Sequence, residues 1–133
     1  MNDTITPPAK LVCRHVWKLF GAHAARTLAA LGPEVTPAGI LAAGLVPAVR
    51  DVSLSVGEGQ IFVIMGLSGS GKSTLARCLS RLVEPSAGEI EFEGRPIARL
   101  GHRDMQPLRR EMQVIFQDPF ASLNPRNTIA RTL

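Results

Sequence analysis

The chain has 133 residues, 45% of them apolar and 20% charged, with 15 basic and 11 acidic side chains and a formal charge of +4. That length allows one domain with a modest core but is short for a complete nucleotide-hydrolysing α/β domain, and the composition excludes an intrinsically disordered chain. The basic residues are scattered apart from a small group at Arg99, Arg103, Arg109 and Arg110, so the excess charge reads as a solvated surface rather than a polyanion-binding stripe.

Taken in order, Met1–Lys10 is polar, holds two prolines and lacks the apolar core of a secretory signal; it is expected to be a flexible N-terminus. Leu11–Trp17 is rich enough in β-favouring residues for a strand, which Lys18–Gly21 closes as a turn. Ala22–Leu31 is rich in Ala and Leu and predicts a helix ended by Gly32-Pro33. Thr36-Pro37 combines an N-cap with proline at the first helical position, so a second short helix is expected over Thr36–Ala43, stopped at Gly44. The two helices make residues 22–47 a helical insert. Val49, Val52, Leu54 and Val56 approach the alternation of a half-buried strand. Gln60–Met65 is a continuous apolar run bounded by glycines, the pattern of a strand buried on both faces. Ser73–Leu82 predicts a helix, Glu89–Phe92 a strand, Arg103–Arg110 a short helix with Pro107 inside it, and Met112–Phe116 a further apolar strand. A loop follows over Gln117–Pro125, and another helix begins near Asn127-Thr128.

The longest uncharged stretch, Val35–Val49, is shorter than the roughly 20 residues a membrane-spanning helix requires. Work at a membrane would therefore mean docking onto another chain. Cys13 and Cys78 have no Cys-x-x-Cys spacing and read as small buried apolar residues in a reducing cytoplasm.

The segment with chemistry is Gly66-Leu67-Ser68-Gly69-Ser70-Gly71-Lys72-Ser73-Thr74. It fits the phosphate-loop pattern G-x-x-x-x-G-K-[ST] and lies between a predicted buried strand and a predicted helix. Glycines let successive backbone N–H groups turn inward on a phosphate, and the helix start adds the positive end of its dipole. Lys72 is expected on the β- and γ-phosphates of ATP or GTP, which the loop alone does not distinguish, and the Ser73 hydroxyl on Mg²⁺. Thr74 would support the α-phosphate or cap the helix. The nucleotide-binding set is thus Gly66, Ser68, Gly69, Ser70, Gly71, Lys72, Ser73 and Thr74.

The flanks resemble the ATP-binding subunits of ATP-binding cassette (ABC) transporters. Gly69–Leu75 is similar to their phosphate loop, Arg81–Ile90 to the helix, turn and strand after it, and Met112–Pro119 to the strand that leads into their Q-loop. The resemblance implies an α/β P-loop NTPase fold: an ABC-type nucleotide-binding domain with an antiparallel β subdomain, here ending after the Q-loop. It implies that Gln117 is the Q-loop glutamine, which senses Mg²⁺ and the attacking water, and so ranks with Lys72 as catalytic. It places Phe20 where the family stacks an aromatic ring on adenine, although a core role for Phe20 remains open. Partners implied are a transmembrane permease subunit, a second ATP-binding subunit and, indirectly, a solute-binding protein. The location implied is cytoplasmic, peripheral on the inner face of the membrane. Residues 16–21, the insert and Gly59–Gly69 resemble the glycine betaine/proline importers; Gln106–Met112 and Gln117–Pro125 resemble the oligopeptide/dipeptide importers.

The family's signature motif, Walker B carboxylates and switch histidine do not occur, and His15, His23 and His102 read as surface or turn residues. Three readings follow: part of an importer ATPase, a nucleotide-binding fragment without catalysis, or a non-transport ABC ATPase acting on nucleic acid. The last lacks a basic stripe with interleaved aromatics, so no nucleic acid partner is expected.

Overall fold

A computed structural model describes residues 8–33 and 35–118. All but the first two residues of the loop expected over Gln117–Pro125 and the whole helix expected near Asn127 lie outside those residues, as does most of the polar N-terminal segment. Eight elements follow in order: β1 (Ala9–Phe20), α1 (Ala24–Leu31), α2 (Pro37–Ala42), β2 (Val46–Gly57), α3 (Lys72–Leu79), β3 (Ala87–Phe92), β4 (Arg95–Pro96) and α4 (His102–Arg109). The four strands form one antiparallel sheet in the order β2-β1-β3-β4.

β1 starts at Ala9 and runs on through Phe20, so part of the expected flexible terminus and the expected turn at Lys18–Phe20 are strand. The reason is pairing on both edges: β1 faces β2 over its whole length and β3 from Leu11 to Trp17. Its register shifts on both sides of Val16, and nearby His15 in β1 and Asp51 in β2 take left-handed φ values of 51° and 47°. That local bulge breaks strict alternation and brings Cys13, Val16 and Leu19, three apart, onto buried positions.

One core lies where α3 and α4 join the sheet and is built from Val16, Val49, Leu75, Leu79, Ile90, Phe92, Ile97, Met105 and Leu108 with Cys13. A second, smaller core of Leu19, Leu28, Ile40 and Leu45 seats the insert. The insert's helices form as the sequence predicts: Thr36 Oγ1 accepts from Gly39 N at 3.1 Å and Pro37 opens α2. Cys13 and Cys78 are free and buried, and burial pushes both thiols above their ordinary range.

α3 stops at Leu79, three residues before the sequence suggests. Arg81 takes φ 56°, and the Arg81 and Leu82 amides return to the Cys78 and Arg77 carbonyls, a Schellman closure with arginine in the position glycine usually holds. The buried Arg81 side chain explains the exception. Its Nε donates to Ile97 O at 2.9 Å and its Nη2 to Leu100 O at 3.0 Å.

Two expected strands are absent. Residues 60–65 and 112–116 have no strand pairing, and Ile61, Met65 and Ile115 are 93%, 84% and 96% exposed. A strand of the parallel, doubly covered kind needs neighbours for its backbone and both its faces. Among the described residues, none pair with these segments.

Candidate phosphate-binding site

The glycine-rich segment leaves the unpaired run 60–65 and feeds directly into α3, whose first residue is Lys72. A turn at its centre is closed by Ser70 N donating to Leu67 O at 3.2 Å, and Leu75 N donates to Gly71 O at 2.8 Å as the helix begins. Lys72 reaches back over the loop. Its Nζ donates to Gly66 O at 2.8 Å, Leu67 O at 2.6 Å and Ser70 Oγ at 3.2 Å. The ammonium therefore sits over the loop at the start of α3, where the helix N–H groups also collect positive potential.

Space requires glycine at position 71 and crowds position 66 only through a rotatable hydroxyl. Gly71 has φ 91°, and a Cβ there would lie 2.1 Å from the Ala48 carbonyl oxygen of β2. At Gly66 a Cβ would stand 2.8 Å from Ser70 Oγ. The first contact is with backbone and cannot yield cheaply. We expect Gly71→Ala to destabilise the fold by about 2 kcal/mol or more through strain and displacement of β2. A thermal midpoint within a degree of the parent's would show that the loop does not press on β2.

Ser68, Ser70 and Ser73 are exposed and Thr74 is partly buried, so the hydroxyls at the loop and the helix start are open to a ligand. The loop borders a cleft of about 870 Å³ lined also by Pro47, Ala48, Arg50, Phe62 and Met65. Among the described residues, no Asp, Glu or His lines that cleft. Among the described residues no group of three His, Cys, Asp or Glu side chains could hold a metal. The site can bind an anion and offers a hydroxyl to a cation already carried by phosphate oxygens, but its lining contains no carboxylate to act as a base. The contribution of β2 from Pro47 to Leu54 had no signal in the sequence beyond strand alternation.

Phe20 is 46% exposed and belongs to neither of the two buried cores among the described residues. Its register partner Val46 directly precedes the cleft residues Pro47 and Ala48, though Phe20 itself is not in the lining. Gln117 is exposed and also does not line the cleft, so the structure does not bring it to the loop. His15, His23 and His102 are exposed. His15 Nδ1 lies 2.7 Å from Asp51 Oδ1, away from the loop.

Comparison with known proteins accords with the residues just described. The chain is 47% identical over 117 residues to the trimethylamine N-oxide transport system ATP-binding protein TmoW of Ruegeria pomeroyi, covering 87% of this chain and 34% of that protein. It is 51% identical over 83 residues to a putative peptide import ATP-binding protein of Brucella ovis, covering 62% of this chain and 26% of that protein. The chain thus spans about a third or less of the length of these relatives. Among solved structures, the ATP-binding cassette MJ0796, described as a dimer in a post-hydrolysis state bound to ADP and Pi, superposes with a TM-score of 0.56 at 26% identity. That match covers 75% of this chain and 35% of the cassette. Residues 49–132, well over half of the chain, match the family described as ABC transporter, and the chain belongs to that family, on the side of its ATP-binding subunits.

Proposed function

We propose that this chain is the phosphate-binding front portion of an importer's ATP-binding subunit. It holds ATP with Mg²⁺ and contributes that grip to a protein which couples ATP hydrolysis to solute uptake. The observation that carries the reading is the loop from Gly66 to Thr74, drawn in by Lys72 Nζ and seated against the Ala48 carbonyl. Ser73 offers the Mg²⁺ hydroxyl, and bound Mg²⁺ would neutralise charge between the β- and γ-phosphates. Lys72 and the amides at the start of α3 orient the phosphates. Gln117 is proposed as the residue that joins this site to the attacking water and to a membrane subunit.

The whole protein would work with a transmembrane permease, a second ATP-binding subunit and, through the permease, a solute-binding protein. It would sit peripherally on the cytoplasmic face of the membrane; no described helix is long and apolar enough to cross one. Relatives named for trimethylamine N-oxide transport, peptide import and methionine import all match, which supports import of a small nitrogen-containing solute. The cleft's lack of any acidic residue or histidine favours binding without turnover by this stretch of chain on its own.

Phe20 is proposed to stack on the adenine ring. Phe20→Ala should weaken ATP by about 3- to 10-fold while leaving inorganic triphosphate, which has no base, within about twofold. Titration calorimetry with both ligands in the presence of Mg²⁺ tests this. An equal loss for the two ligands would show that Phe20 supports the fold and not the base.

A further inference from the structure

The end of β1 is bracketed by the segment that follows α3. Lys18 Nζ donates to the Glu84 carbonyl at 2.9 Å and at the same time lies 5.0 Å from the centroid of the Phe20 ring. Leu19, between them, is 1% exposed, and both of its backbone groups are held by one hydroxyl: its N–H donates to Ser86 Oγ at 3.0 Å and its carbonyl accepts from Ser86 Oγ at 3.3 Å. Ser86 N closes the bracket by donating to Trp17 O at 2.7 Å. The exposed Phe20 thus stands on a strand end fixed at three consecutive residues. Residues 84–86 are tied through the Arg81 closure to α3, whose other end is Lys72 of the phosphate loop.

We propose that Lys18 and Ser86 are positioning residues for nucleotide binding: the Glu84–Ser86 bracket sets the Phe20 ring at a fixed place relative to the phosphate loop, and the Lys18 ammonium backs one face of that ring. The inference rests on the base-stacking reading of Phe20. An ammonium over one face leaves the opposite face for a flat partner and draws π density away from it, which suits an electron-rich purine. A mobile exposed phenyl would lose rotamer freedom on stacking; one already held by a cation has lost it beforehand. The ligand this arrangement favours is therefore a purine nucleotide, with its base on the Phe20 ring and its phosphates at the loop.

The test is a double-mutant cycle on ligand affinity. Lys18→Met should weaken ATP about 3- to 10-fold with inorganic triphosphate within about twofold, and Lys18→Arg, which keeps a cation over the ring, should restore ATP affinity to within about twofold. The double variant Lys18→Met/Phe20→Ala should bind ATP no more weakly than Phe20→Ala alone. Ser86→Ala should repeat the selective loss at smaller size. The emission of Trp17, the chain's single tryptophan and the neighbour of Lys18, reports whether each variant keeps the local fold. Selective loss in Phe20→Ala with additive loss in the double variant would overturn the bracket and leave stacking intact. An unchanged ratio of ATP to triphosphate affinity in Phe20→Ala would overturn both. Parallel loss of triphosphate in Lys18→Met would show that Lys18 serves the phosphates or the fold instead.

Discussion

Replacing Lys72 with alanine should lower affinity for Mg²⁺·ATP and for Mg²⁺·triphosphate alike, by about 10- to 150-fold. The estimate follows from one hydrogen bond between charged groups, worth about 1.5–3 kcal/mol, at about 1.4 kcal/mol per factor of ten. Equal loss for the two ligands is the diagnostic feature, because Lys72 is assigned to the phosphates and not to the base. It is the reverse of the selective loss expected for Phe20→Ala, so the pair separates the two ends of the site. Lys72 also braces its own loop through Gly66 O, Leu67 O and Ser70 Oγ, so the variant relaxes the empty loop as well. The side chain is only partly buried, and the thermal midpoint should shift little. Calorimetry on the purified full-length subunit decides: unchanged affinity for either ligand removes the phosphate-loop assignment, and a collapsed midpoint assigns Lys72 to the fold.

What could be read from the sequence was whatever depends on neighbours along the chain. The insert is the clearest case. Thr36-Pro37 caps and opens α2, and the Ala- and Leu-rich run gives α1 by propensity, from Ala24 rather than the expected Ala22 because His23 is left-handed. The glycine turn into α3 was equally legible, because the spacing states a backbone requirement, and Gly71 against the Ala48 carbonyl is that requirement in space. The end of α3 was not legible: arginine in the left-handed position at 81 is tolerated only because Ile97 O and Leu100 O, sixteen and nineteen residues on, receive its guanidinium. Likewise, β1 runs through Lys18 to Phe20 because β2 and Ser86 hold it there, a fact of pairing that a Phe-Gly dipeptide does not disclose. The strands expected at 60–65 and 112–116 show the opposite limit. Their apolar patterns state what kind of neighbour they require, and a pattern cannot supply the neighbour.

That unmet requirement gives the second large effect. The run Ile61–Met65 exposes five apolar side chains, from 37% at Ile64 to 93% at Ile61, and Leu67, Ile115 and Phe116 add to them. Full burial of a Val, Ile, Phe or Met side chain contributes about 1.5–3 kcal/mol. The five residues, discounted for the partial cover of Phe62 and Ile64, therefore leave on the order of 5–10 kcal/mol of burial unrealised. That is comparable to the net stability of a whole domain, about 5–15 kcal/mol. We expect the 133-residue chain expressed alone to bind a hydrophobic dye strongly, to associate at micromolar concentration and to unfold over a broad range. Because no acidic residue or histidine among the described residues lines the cleft, it should also release phosphate from Mg²⁺·ATP no faster than its Lys72→Ala variant. Ile61→Ser and Ile115→Ser, at two of the most exposed positions, should reduce dye binding and association in sedimentation without lowering the unfolding midpoint, since neither side chain contributes burial where it stands. A lowered midpoint in those variants would mean that the two segments are packed in solution. Sharp two-state unfolding together with Lys72-dependent turnover would mean that the chain completes its own hydrolytic site, with a carboxylate brought to the cleft from residues that do not line it here.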